Sequence, residues 1–185
     1  MIRSLLNLNG SIICKVSGSS EMVGLNTPLN TVYVDDIEPN LPTDYWDFNL
    51  QQFISIGEPS SPHCIFDYEI KQWIDPRSLD DIKAQKWTEI KQQRDQLEFG
   101  GFEFEGNIYD SDQVSQGRIM GAVSAGVDQT WTLADNTTVE LSAIQLQQLY
   151  AALQAHIASV HERGRIARQL IFGAETKEEV EDIQL

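Results

Sequence analysis

The sequence is short of the residues that most enzymes and nucleic-acid-binding proteins rely on. Its 185 residues include two cysteines, three histidines, and thirteen basic side chains against twenty-eight acidic ones, for a formal net charge of −15. A field of that sign repels phosphate backbones and anionic lipid, so nucleic acid and membrane surfaces are not expected partners. No apolar run approaches the roughly 20 residues that cross a bilayer, and no membrane insertion is expected. The opening MIRSLLNLNGSIICKVSG resembles a signal peptide, but Asn7, Asn9 and Gly10 interrupt its apolar centre. Cys14 and Cys64 lie far apart without a metal-type spacing, and a disulfide framework needs more of them. The expected place of synthesis is a reducing cytoplasm.

Catalytic signatures are also missing. GxSxG, Walker-type and GxGxxG patterns do not occur. His156 and His161, five apart on a helical stretch, point to different faces and do not share a metal. His63-Cys64 with Asp67 begins a zinc or Cys–His pattern that no second cluster completes. Asp110-Ser111-Asp112 resembles the start of a calcium loop, yet Ser115 and Gly121 stand where that loop needs Gly and a bidentate Glu. Helix capping is the simpler account. Glu103 with Glu105, and Asp47 with Asp67, are carboxylate pairs of the kind that hydrolyse glycosides, but acidic strand surfaces are ordinary in so acidic a chain. The expectation is a protein that is not an enzyme, with no catalytic residue, metal site or cofactor.

What the chain does have is pattern. A hydrophobic fraction of 41% is enough for a folded core. Residues 1–30 are rich in Ser, Gly and Asn and read as irregular chain or a docking arm, with a weakly periodic strand candidate between Ile2 and Val16. Thr31–Asp35 alternates like a strand. An internal repeat follows at an offset of 20 residues: WDFNLQQFI from Trp46 and FDYEIKQWI from Phe66. Asp, Gln and Ile recur identically and aromatics exchange for one another, as in two small hairpins with an Asp-stabilised turn. Trp46, Phe53, Phe66 and Trp73 are therefore either the thin core of these hairpins or a partner-binding surface.

From Ser78 a helix is expected, capped by Ser78 and Asp81 and ended at Gly100-Gly101. A hairpin turning at Glu105–Asn107 follows, then a helix over Gln113–Val127 capped by Asp110–Asp112. Gly117, Gly121 and Gly126 in that helix would let another backbone come close. A hairpin turning at Asp135-Asn136 leads to the longest helix, capped by Ser142 and Gln145 and stopped at Phe172-Gly173. Leu146, Tyr150, Leu153, Ile157 and Val160 form a coiled-coil-like seam along it. Either the seam packs on the chain's own elements or it makes a homo-oligomer, most naturally a trimer. The fold class is α+β: an N-terminal arm (1–40), tandem aromatic β-hairpins (41–77), and an α+β domain (78–185) of short hairpins and three helices, one of them long.

The residues carry a resemblance. Pro62, His63, Phe66, Asp67 and Trp73 occupy the places of a Pro-rich, His-containing turn and aromatic-Asp hairpin in bacteriophage tail-fibre assembly proteins. Farther on, Ile90, Arg94, Gly101-Phe102, Asp110-Ser111-Asp112, Ser115-Gln116, Ile119, Gly121-Ala122, Trp131 and Asp135-Asn136 resemble a domain of unknown function recurrent in phage tail proteins. The resemblance covers about residues 62–183 and leaves residues 1–40 outside it. It carries no catalytic residues. It implies a place in the virion, as a structural component of a tail-fibre or tail-tip (baseplate) complex that contacts other tail proteins. A tail-fibre assembly chaperone is the alternative, and a carbohydrate-binding or hydrolysing receptor protein the weaker one.

Overall fold

The computed structural model describes residues 1–185, which divide into two compact units, Met1–Arg77 and Ser78–Leu185. The sheets are all small: one of three strands and four two-stranded hairpins.

In the first unit, β1 (Ile2–Leu6) is the central strand of the order β2-β1-β3, antiparallel to both β2 (Ile12–Ser17) and β3 (Val32–Asp35). The weak periodicity of this stretch has a structural cause. The β1–β2 register shifts at a bulge between Leu5 and Leu6, and Ser4, Leu5 and Leu6 are all buried in succession, so no alternation is visible. The Ser-rich segment holds a short helix, α1 (Ser20–Leu25), whose first turn is capped by the Ser19 hydroxyl accepting from the Met22 N–H at 3.3 Å. Its Val23 is fully buried. Arg3 pins the sheet by a bidentate contact with Asp35 (2.6 and 2.8 Å), with its guanidinium 3.8 Å above the Tyr33 ring. That guanidinium, as hydrogen-bond donor first and as charge second, holds the Asp35 carboxyl below its usual range.

The repeat forms two hairpins, β4 (Asp44–Asp47) with β5 (Gln52–Ser55) and β6 (Ile65–Asp67) with β7 (Gln72–Ile74). The N-terminal segment is fastened to them. Gly10 accepts from the Trp46 N–H at 2.9 Å, and the Asn9 carbonyl accepts from the Lys71 ammonium, which also lies over the Tyr45 ring. Gly10 is required here: its φ is +81°, and a Cβ would stand 2.2 Å from the Trp46 carbonyl oxygen.

In the second unit, α2 (Leu79–Phe99) starts at the Ser78–Asp81 capping box and is followed by the hairpin β8 (Phe102–Phe104) and β9 (Asn107–Tyr109), which turns at Glu105-Gly106. Both turn residues have positive φ, the conformation that matches hairpin twist. Next come α3 (Gln113–Ala125), the hairpin β10 (Gln129–Thr132) and β11 (Thr138–Leu141), the 31-residue α4 (Ala143–Gly173) from the Ser142–Gln145 capping box, and α5 (Lys177–Glu181). The glycines of α3 differ from expectation. Gly117 and Gly121 meet nothing within 4 Å, and Gly126 is the left-handed cap that ends the helix, so none serves a close backbone approach.

Two apolar clusters hold this unit. One gathers Phe102, Tyr109, Ile119, Leu133 and Leu141 onto the first half of α4. The other packs Ile82 and Ile90 of α2 against Ala167, Ile171 and Val180. Between them lies Gly164, where the sequence seam falters. The Arg94 stem crosses α4 at that point, and a Cβ would come within 3.3 Å of it.

Candidate functional site

The two hairpins repeat their geometry as well as their sequence. Trp46 stands opposite Phe53, and Phe66 opposite Trp73, so the same cross-strand pair occurs with its members exchanged. Both pairs meet edge to face, with ring centroids 5.0 and 5.6 Å apart. Asp47 accepts from the Asn49 and Leu50 N–H groups, and Asp67 does the same for Glu69 and Ile70. Gln51 and Lys71 take the same left-handed φ, +53° and +58°.

This geometry turns the four aromatics largely inward. Trp46 is only 6% exposed, and Phe53, Phe66 and Trp73 are half-buried, with the Trp73 indole donating to the Ile56 carbonyl at 2.7 Å. Phe66 also meets Tyr45, at 5.7 Å, which joins one hairpin to the other. The residues offered outward are at the tips: Phe48 and Leu50 on the first, Ile70 on the second. Sequence reasoning passed over these, although the repeat aligns Phe48 with Tyr68 and Leu50 with Ile70. A turn has no facing strand to cover its side chains, and that was the available signal.

The seam on α4 also faces inward. Leu146, Leu153 and Val160 are fully buried within their own chain, and Tyr150 and Ile157 are half-buried against the first cluster. Leu146, Leu153 and Val160 are thus spent on the chain's own core, while Tyr150 and Ile157 keep part of their surface exposed. The apolar residues that α4 leaves exposed are Ile144, Ile166, Leu170 and Phe172.

The polar candidates serve structure. Ser111 is fully buried: its hydroxyl accepts from the Gly101 N–H at 2.9 Å and donates to the Glu98 carbonyl, so it latches the end of α2. Asp112 caps α3 through the Val114 and Ser115 N–H groups, and the Ser115 hydroxyl, with those bonds, holds its carboxyl below the usual range. Gln116 closes the motif by donating to the Ser111 carbonyl. His156 contacts the Leu97 carbonyl at 2.9 Å and His161 the Glu98 carboxylate at 3.0 Å, so both fasten α4 to the end of α2. Asp47 and Asp67 are committed to their turns, and Glu103 and Glu105 sit exposed on a hairpin. His63 is exposed. The Ser60 and Ser61 hydroxyls are hydrogen-bonded to the neighbouring Cys64 sulfur, and these contacts lower the thiol's pKa. No three His, Cys, Asp or Glu side chains are grouped to hold a metal ion.

A polar concave surface remains, in addition to a smaller, more apolar hollow at Leu170, Gly173, Ala174 and Ile183. A groove of about 560 Å³ runs between α3 and β10, lined by Asp110, Ser115, Arg118, Gln129, Trp131 and Asn136 among others. Sequence reasoning placed none of these as ligand contacts, since they come from four separate segments.

The second unit is thus an α+β domain in which the most distinctive motif is a structural latch. Residues 81–184 match the family model described as Domain of unknown function (DUF4376), and the chain belongs to that family. The match begins within α2 and leaves the aromatic hairpins, including the 62–80 stretch of the expected resemblance, outside it. No curated protein matches the chain, and no solved structure does.

Proposed function

We propose that the protein is a non-enzymatic structural component of a bacteriophage tail-fibre or tail-tip complex, carried in the virion and working by contact with other tail proteins. The observation that carries this reading is the apolar surface of residues 1–77. Only Leu5, Leu6, Val23, Tyr45 and Trp46 are buried apolar residues there, whereas Leu8, Leu25 and Leu29 are 85, 78 and 94% exposed and the hairpin tips add Phe48, Leu50 and Ile70. A unit with so few buried apolar residues and so many exposed ones supports a role in contact with a partner. The resemblance of the Asp110–Ile119 motif to phage tail proteins supports the setting. A homotrimer is a second form of contact open to this protein; on α4 it would use exposed residues such as Ile166, Leu170 and Phe172, because Leu146, Leu153 and Val160 are occupied.

The test is peptide mass spectrometry on purified phage particles, with the protein quantified against the major tail protein. A fixed stoichiometry is expected. Absence from particles alongside abundance in infected-cell lysate would overturn the structural role in favour of an assembly chaperone.

A further inference from the structure

We propose that the groove between α3 and β10 binds a saccharide. Five of the side chains lining it, Asp110, Arg118, Gln129, Trp131 and Asn136, make no side-chain hydrogen bond or ion pair with the protein. That sets them apart from their neighbours. Asp112, Asp128 and Asp135 accept backbone N–H groups, and Gln116 and Gln145 close helix ends. Around this groove, carboxylate, guanidinium, two carboxamides and an indole N–H converge without hydrogen bonds to the protein, Arg118 feeling only the nearby charge of Asp112.

The mixture selects the ligand. A phosphate or nucleotide needs a surplus of cations, and here the single Arg118 shares the lining with Asp110 in a unit with nine basic and eighteen acidic side chains. An apolar ligand would strip water from five polar groups and return nothing to them. A sugar ring fits both needs: each hydroxyl donates and accepts, matching carboxylate, guanidinium and amide partners, and its C–H face lies on an aromatic plane. Trp131 is held for that role. It pairs with Val139 across the hairpin and packs against the first apolar cluster while lining the groove. Arg118 and Ser115, three residues apart, share one face of α3 opposite it. The groove is also of the size usual for small-ligand pockets. This inference does not depend on the tail assignment.

The experiment is to screen the full chain on an array of bacterial and plant glycans, then to titrate the strongest hit into ¹⁵N-labelled protein. Tripolyphosphate serves as an anion control. The expected result is saturable perturbation of the Trp131 indole N–H and the Arg118 and Gln129 backbone signals, with no such change at Trp46, Trp73 or Trp87. Arg118→Ala, on an exposed helix position that leaves the fold intact, should weaken binding about tenfold or more, the loss of one charge-assisted hydrogen bond. Trp131→Phe should weaken it less, keeping an aromatic face. No glycan bound, perturbation by tripolyphosphate alone, or affinity unchanged in Arg118→Ala would each overturn the proposal.

Discussion

The two units solve the folding problem differently. Of the twenty buried apolar residues, five belong to residues 1–77 and fifteen to residues 78–185. The second unit has two continuous clusters built on helices, and every helix start within it is capped. The first unit has three strands, a six-residue helix and two hairpins, none of which is stable alone in water. It is joined instead by single contacts with strict geometry: Arg3 on Asp35, Gly10 against Trp46, Lys71 on Asn9, and Tyr45 on Phe66. A unit of that kind loses cooperativity when one fastening fails, whereas a packed domain loses stability in proportion to the cavity made.

The largest effect separating the two is expected at Leu153. It is fully buried at the centre of the first cluster, and Leu153→Ala should destabilise the second unit by about 3 kcal/mol. Urea unfolding followed at Trp131, with Trp46, Trp73 and Trp87 replaced by Phe in the parent, reads that unit. A loss under about 1 kcal/mol would mean that the α4 face is not packed internally, and would reopen it as an intersubunit seam.

Gly10→Ala is the counterpart in the first unit. Left-handed backbone and a Cβ 2.2 Å from the Trp46 oxygen together should cost at least about 2 kcal/mol. The expected outcome is loss of the dispersed amide signals of residues 1–77 while those of residues 78–185 persist. Retention of the Trp46 N–H protection from exchange in the variant would show that the fastening is dispensable.

Acid should act on the second unit before the first. Hydrogen bonds hold Asp81, Asp112, Asp135 and Glu179 below their ordinary values, chiefly from Ser78, Ser115, Thr137 and the Glu175 and Thr176 backbone respectively. A carboxyl depressed in the folded state contributes stability that is fully present above its unfolded pKa, roughly 4, and is lost as pH falls through the lower folded value. Four such groups cap or turn elements of the second unit, against Asp35 alone in the first. The slope of stability against pH below about 4 should therefore be steeper for the second unit, and Asp112→Asn should flatten it. Equal slopes for the two units would show that the caps fray in solution.

Legibility in the sequence followed the same division. In the second unit the helix starts at Ser78 and Ser142, the Gly100-Gly101 break and both hairpin turns were readable, because capping and turn chemistry are local and periodicity is long. The Gly164 interruption had no local explanation, since its cause is an Arg94 seventy residues earlier. In the first unit the hairpin repeat was readable, but β1 and β2 showed only as one weakly periodic strand candidate, because a bulge and consecutive burial erase alternation. The roles of particular side chains were the least accessible. Spacing shows that Trp46 and Phe53 share a face and that Leu146 and Leu153 share a stripe, yet it cannot say whether that face meets the chain itself or another molecule. The groove lay further out of reach, because only the fold brings Asp110, Arg118, Trp131 and Asn136 together.

The smallest effect concerns the linker between the hairpins, the most irregular part of the weakly cored unit. Cys64 is half-buried, and the hydroxyls of Ser60 and Ser61 lie 3.3 and 3.4 Å from its sulfur. Those hydroxyls donate to the thiolate and stabilise it, outweighing the opposing effects of burial and of Asp75, so its pKa lies below the ordinary thiol value. In a Cys14→Ser background the rate of alkylation by iodoacetamide should therefore rise at lower pH than for a free thiol, and Ser60→Ala with Ser61→Ala should return the midpoint upward. The same linkage gives a small gain in stability as pH rises through the folded pKa towards the unfolded one. The Ser60–Cys64 turn shares its side chains with no core, so this midpoint reports whether the first unit is ordered beyond its few fastenings. A shifted midpoint that Gly10→Ala leaves in place would make the turn an independent local structure. A midpoint that reverts in that variant would make even the linker part of one cooperative unit.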